Sequence, residues 1–282
     1  MVSHTMPLYQ VLVFAVVQGI TEFLPISSSA HLALAPWLLG WPEHGLVFDI
    51  ALHLGTLVAV LLYFWRDLLQ IVAQGLGLRY GRDQELARNP RLVWLIGAAT
   101  VPAGVAGLLF ESYAEDAWHS NYVLMGSMLV AVGVLMLVAE KFGKRSKDIG
   151  RLSFADAIII GASQALAIVP GTSRSGITLT AGLFRNLDRA ASARFSFLLS
   201  TPVIAAAAAK AFWDLHRQGG IPPDMRVAFF VGIIASGIIG CAVIALLLRY
   251  LRTHTLKFFV YYRVIFGIMV IALATIFRQN AG

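Results

Sequence analysis

The chain has 282 residues, of which 58% are hydrophobic and 13% charged, about half the charged fraction of a soluble domain. That composition excludes a soluble globule, a disordered chain, collagen and a coiled coil. The single cysteine, Cys241, excludes an internal disulfide and a thiolate metal cluster. The net charge of +7 leaves nucleic acid to be weighed against basic cytoplasmic loops.

A membrane helix takes roughly 20 apolar residues. In chain order, residues 8–24 are apolar but run into Pro25 and a serine cluster, and residues 28–39 are too short to span. Residues 47–65, 92–110 and 122–139 are long enough. Residues 154–169 and 177–184 flank the motif PGTSRSG, and three more spans follow at 195–209 with its flanks, 227–248 and 258–277. The four awkward stretches form two pairs, each broken by a proline. Irregular polar backbone survives at membrane depth only when it is buried in protein or lines a cavity. Each pair is therefore predicted to be a re-entrant helical hairpin. The fold expected is an all-α polytopic membrane protein of six transmembrane helices and two re-entrant hairpins, a single integral membrane domain over 1–282. Residues 8–24 before SSSA resemble a secretion signal, but the first Lys or Arg is Arg66, so the segment is expected to be retained.

If the first hairpin enters from outside and the second from inside, loops on the inner side hold 16 of the 22 basic residues. The outer side holds Lys210, Arg217, Arg226 and Arg278, and residues 111–121 carry three acids and no Lys or Arg. This asymmetry selects that orientation and explains the charge without nucleic acid. Arg174 and Arg263 remain inside the membrane.

A shift of 145 residues lays QGITEFLPISSSAH, from Gln18, over SQALAIVPGTSRSG, from Ser163. Pro25 then falls on Pro170, and Ser27 and Ser28 on Thr172 and Ser173. Two pseudo-repeats, about 1–140 and 150–282, each with one hairpin and three spans, form an inverted-topology repeat because three is odd. In such repeats the broken helices meet at a binding site near the midplane, so the two polar motifs are expected to face each other.

Gln18 and Glu22 are four apart and share a helix face. An intramembrane acid marks function unless it makes only a structural hydrogen bond; Glu22 fits a metal ligand, a general base or the partner of an arginine. Ser27, Ser28 and Ser29 follow the break at Pro25. One of them is expected to cap the next helix, while hydroxyls and free N–H groups at a helix start also make an anion site. His31, three residues after Ser28, is placed to activate or protonate what Ser28 touches, against the plainer reading of a packed imidazole. In PGTSRSG, Thr172, Ser173 and Ser175 add hydroxyls and Arg174 adds a guanidinium fork; together they describe a phosphate cradle, and a buried pair with Glu22 is compatible with it. Arg263, after two tyrosines, is ambiguous, since snorkelling from its helix end is open to it, and it is left outside the site. Asp49, His53 and Asp156 are either supporting groups or ordinary polar contacts.

The motifs QGITEFLPISSSAH and PGTSRSG, with DIALHLGTL and ARFSFLLSTP, resemble the undecaprenyl-diphosphate phosphatase family of bacteria, also called bacitracin-resistance proteins, over the length of the chain. The resemblance implies hydrolysis of the C55 isoprenoid diphosphate to its monophosphate and phosphate, which recycles the peptidoglycan lipid carrier. It implies a bacterial cytoplasmic (inner) membrane protein with its active site opening toward the periplasm and a divalent metal, Mg2+ or Ca2+. Glu22, Ser27, Ser28, Ser29, His31, Ser173 and Arg174 fall on positions of the family's site. The first acidic position of the family motif is Gln18 here, which counts against a two-carboxylate metal site, although its carbonyl can still coordinate beside Glu22. The roles expected are catalytic for Glu22, Ser28, His31 and Arg174, and substrate-binding for Gln18, Ser27, Ser29, Thr172, Ser173 and Ser175. The nucleophile is Ser28, His31 or water. The expected partners are the isoprenoid diphosphate and membrane lipids, with a homodimer as one open assembly. A lipid-phosphate transporter built on the same repeats and an intramembrane serine protease using Ser28 and His31 are the competing readings, and the second leaves Arg174 without a task.

Overall fold

The computed structural model describes residues 6–43, 45–113, 118, 121–217 and 219–279. Glu115 and Asp116, which enter the charge asymmetry, lie outside the described residues, as does the side chain of Arg278. Among the described residues the chain is helical, with one isolated bridge between Lys147 and Leu187 and no strand. Among the described residues six helices are long and apolar enough to cross a membrane, at Gly45–Tyr63, Leu92–Phe110, Tyr122–Phe142, Arg189–Arg217, Pro223–Leu251 and Lys257–Ile276.

The helices are α1 (Leu8–Thr21), α2 (Ser28–Leu39), α3 (Gly45–Tyr63), α4 (Trp65–Gly75), α5 (Gln84–Ala87), α6 (Leu92–Tyr113), α7 (Tyr122–Phe142), α8 (Phe154–Ala165), α9 (Arg174–Phe184), α10 (Arg189–Arg217), α11 (Arg226–Leu251) and α12 (Lys257–Gln279). The span expected at 47–65 ends earlier, at Tyr63, because the chain breaks at Phe64 and starts the short helix α4. The span expected at 195–209 is the core of the 29-residue helix α10.

α3 packs on α11, α12 on α7, α6 on α8 and α10 on α9, with α1 against α11. Lipid tails are as apolar as the helices, so close packing of small residues has to hold such contacts. On α8, a Cβ at Gly161 would stand 2.1 Å from the Ala99 carbonyl of α6; only glycine lets these backbones touch.

Among the described residues one end of the bundle carries most of the ion pairs. Arg194 binds Asp67 and Asp83, Arg189 binds the buried Glu140, and Lys147 and Arg185 both bind Asp156. Burial alone would raise the Asp83 carboxyl, but the Leu86 N–H and Arg194 outweigh it and hold it below its ordinary range. Asp156 also completes the capping box of α8 with Ser153. Its work is therefore structural and at the end of the helix bundle, away from the polar motifs.

Candidate active site

α1 ends at Thr21, the chain turns through Pro25, and α2 starts at Ser28. α8 gives way to a 3-10 turn over Leu166–Ile168, the chain turns through Pro170, and α9 starts at Arg174. Both starts use the same cap. Ser27 (φ 77°) accepts from the Ala30 N–H and contacts the Ser29 hydroxyl, while Ser173 (φ 68°) accepts from the Gly176 N–H and contacts the Ser175 hydroxyl. Ser27 thus corresponds to Ser173, not to Thr172 as the ungapped shift proposes. The second break has one residue fewer before its proline than the first, counted from Gln18 and Gln164, and one more after it.

The two breaks meet, as expected. Arg174 pairs with Glu22, the Ser175 hydroxyl donates to the Leu24 carbonyl at 3.1 Å, and the Gly171 N–H points at the Ser29 hydroxyl at 3.5 Å. Glu22 is the centre of the group. Its Oε1 takes Arg174, and its Oε2 accepts from the Ser28 hydroxyl at 2.7 Å and from the Gln18 amide at 3.2 Å. Gln18 Oε1 is buried with no partner among the described residues. A hydroxyl bonded to a carboxylate that two other groups orient has the geometry of a nucleophile and its base.

These groups open into a cavity of about 260 Å3, walled by Glu22, Ser28, Ser29, His53, Gln164, Ser173 and Arg174 with apolar groups of α6 and α10. That volume lies at the lower edge of small-ligand sites, about 300–1,000 Å3, and suits a head group better than a whole lipid. A second cavity of about 390 Å3 shares Ser29, His53 and Arg174 and is otherwise largely apolar, with Leu32, Leu46, Ile50 and Ile204 in its wall. His53 therefore sits at the junction, with its Nδ1 2.9 Å from the Asp49 carbonyl oxygen, and Asp49 lines the apolar cavity. Of the remaining expected contacts, Ser27 and Ser175 spend their hydroxyls inside the turns, and Thr172 is fully buried.

His31 does not reach Ser28. Its Nδ1 lies 2.7 Å from the Ser27 carbonyl oxygen and its Nε2 2.7 Å from the Tyr262 hydroxyl, with the ring stacked on Phe266. The Nδ1 proton goes to the carbonyl, so Nε2 accepts from Tyr262, and the imidazole braces the serine turn against α12. Tyr262→Phe removes one hydrogen bond, worth about 1 kcal/mol. It is expected to lower kcat less than about tenfold, whereas His31→Ala, which also frees the Ser27 carbonyl, is expected to cost more; steady-state kinetics on the two variants decide the order.

Arg263, ambiguous in the sequence, takes a buried position. It does not snorkel: it is fully buried, with Nη1 donating to the Pro25 carbonyl at 3.1 Å and Nη2 to those of Gly171 and Thr172 at 2.9 and 3.0 Å. Its Nε donates to the Leu129 carbonyl of α7 at 3.2 Å. One guanidinium thus ties both breaks to α12 and α7. Gly171 accepts this geometry at φ +88°, where a Cβ would stand 2.2 Å from the Met125 carbonyl oxygen.

Known proteins match this chain over nearly its whole length. The family described as "Bacitracin resistance protein BacA" matches residues 11–269. A protein of Moorella thermoacetica called undecaprenyl-diphosphatase is 42% identical over 95% of this chain and 98% of its own length. Proteins of the same name from Thermomicrobium roseum (42% identical; 97% of this chain, 100% of the relative) and Desulforudis audaxviator (43%; 94% and 97%) match over similar extents. With its six long apolar helices and a match that covers nearly its whole length, the chain is a multi-pass membrane protein that belongs to the bacitracin resistance protein BacA family.

Proposed function

We propose that the protein is a membrane phosphatase that hydrolyses undecaprenyl diphosphate to undecaprenyl phosphate and inorganic phosphate, which returns the lipid carrier to peptidoglycan synthesis and confers bacitracin resistance. The observation that carries this reading is the Ser28 hydroxyl bonded to Glu22, itself held by Arg174, in a polar cavity that adjoins an apolar one. The diphosphate occupies the polar cavity and the isoprenoid chain leaves along the apolar one.

Ser28 Oγ attacks the terminal phosphorus while its proton passes to Glu22. The Oγ–P bond forms, the bond from phosphorus to the bridging oxygen breaks, and undecaprenyl phosphate departs with that electron pair and the proton from Glu22. Water then attacks the phosphoserine and gives a proton to Glu22; the Oγ–P bond breaks, phosphate leaves, and the proton returns to Ser28. Arg174 and the N–H groups at the starts of α2 and α9 face the charge that develops on the phosphoryl oxygens. His31 acts through the Ser27 carbonyl, by fixing the turn that carries Ser28.

The donor set suits a hard divalent cation such as Mg2+ or Ca2+. Gln18 Oε1, buried and unpaired beside the Glu22 carboxylate, is an oxygen ligand in waiting. No group of three or more His, Cys, Asp or Glu residues forms a metal cage among the described residues, and Mg2+ commonly takes one or two carboxylates and completes its shell with phosphate and water. Glu22 and Gln18 would hold the ion, which when bound neutralises phosphate charge. Gln18→Glu is expected to reduce several-fold the Mg2+ concentration that gives half-maximal activity; a metal titration of the variant checks it.

The two breaks are re-entrant hairpins, and the halves 1–140 and 150–282 are inverted repeats within one membrane domain. The charge asymmetry supports a bacterial cytoplasmic membrane orientation with the site open to the periplasm. The decisive experiment is phosphate release from undecaprenyl or farnesyl diphosphate by the purified protein in detergent, with and without EDTA, beside Glu22→Ala. Release that needs metal and vanishes in the variant is expected. A folded wild-type protein that releases none with added metal would overturn this reading in favour of a lipid-phosphate transporter.

A further inference from the structure

We infer that Gln164 is a ligand-binding residue whose side-chain amide takes hold of the phosphate head group in the polar cavity, a role that rests on the phosphatase reading above. Gln164 lies in the last turn of α8, is 2% exposed and lines the cavity with Glu22, Ser28, Ser173 and Arg174. Neither its Nε2 nor its Oε1 has a hydrogen-bond partner among the described residues.

A buried primary amide with both ends unpaired carries the full desolvation penalty of a donor and an acceptor, so a glutamine that serves only packing finds a backbone partner. This one is held away from such partners. Gly161, three residues earlier, lies directly on the Ala99 backbone of α6, and this contact fixes the rotation of α8 about its axis. The side chain lines the polar cavity. Arg174 and Glu22 enter that space from the two breaks as an ion pair; Gln164 comes from α8 and adds two N–H donors without charge. A phosphoryl oxygen is the acceptor that fits the donors, and Oε1 then accepts from a phosphate hydroxyl or a water on the same head group. An apolar ligand would leave both ends of the amide unpaired, and a cationic one would leave its N–H donors unpaired.

The test compares the full-length protein with Gln164→Met in detergent, by thermal midpoint with and without inorganic pyrophosphate and by kcat/KM on farnesyl diphosphate. Methionine keeps the volume and removes both unpaired groups. The ligand-free variant is therefore expected to melt at or above the wild-type temperature, while pyrophosphate stabilisation disappears and kcat/KM falls about 10- to 100-fold, the range for a hydrogen bond to a charged group. A packing residue gives the opposite pattern: a lower midpoint with pyrophosphate stabilisation intact and kcat/KM within about twofold, and that result would overturn the inference. If methionine prevents folding, Gln164→Glu, nearly isosteric, is read in the same two assays, and unchanged pyrophosphate stabilisation there overturns it equally. A wild-type protein that is inert as a phosphatase yet shows pyrophosphate binding dependent on Gln164 would strike the phosphatase reading alone.

Discussion

Ser28→Ala is expected to lower kcat by at least about 10^3-fold, as loss of a nucleophile does in enzymes that work through a covalent intermediate. Ser28 donates its hydroxyl to Glu22 Oε2 at 2.7 Å, Gln18 donates to the same oxygen, and Arg174 holds Oε1. Removing the hydroxyl deletes one hydrogen bond, about 1 kcal/mol, too little to unfold the protein. A folded but inactive variant therefore reports on chemistry. The measurement is steady-state phosphate release together with mass analysis of wild-type protein quenched during turnover, where a phosphoserine at position 28 is expected. Activity within tenfold of wild type in Ser28→Ala, with Glu22→Gln inactive, would instead make water the nucleophile and Glu22 its direct base.

The second large effect falls on stability. Arg263→Met is expected to destabilise the protein by more than about 4 kcal/mol and to lower the thermal midpoint in detergent by roughly 10 °C. The carbonyls of Pro25, Gly171 and Thr172 lie in breaks where no helix bond serves them, and Arg263 supplies a donor to each. A buried peptide carbonyl without a donor costs about 1–3 kcal/mol, and three are lost together. Lysine has the charge but no planar fork, so Arg263→Lys is expected to recover only part of the loss. A methionine variant that melts with the wild type would show that the breaks are held by their own caps.

The six spans and the two proline-broken pairs were legible in the sequence because hydropathy and helix breaking are local properties: each span is apolar over its own residues, and each break sits at its own proline. The same holds for Glu22, Ser28, Ser29, Ser173 and Arg174, which announce themselves as polar groups concentrated where apolar segments are interrupted and which all line one cavity. The meeting of the two motifs, seen in the Arg174–Glu22 pair, was expected from the similarity between the two sequence segments. The short helix α4 went unseen because its residues had been assigned to a basic loop.

Other features turned on which way a side chain points once helices have packed. Arg263 stands six residues into α12, about 9 Å along the axis, within reach of the helix end, so sequence alone left snorkelling open; packing on α7 turned it inward. His31 shares a sequence neighbourhood with Ser28, yet Tyr262, 231 residues away, captures its ring. Gln164 was hidden by a one-residue gap: the ungapped shift set Ser163 opposite Gln18, whereas the offset of the matching caps, Ser27 and Ser173, sets Gln164 there. Composition and periodicity determined where the chain enters an apolar phase and where it breaks, because those depend on neighbours in sequence. Only the tertiary structure decided how the polar groups at the breaks pair, because their partners come from helices distant in the chain and pairing depends on the rotation of each helix.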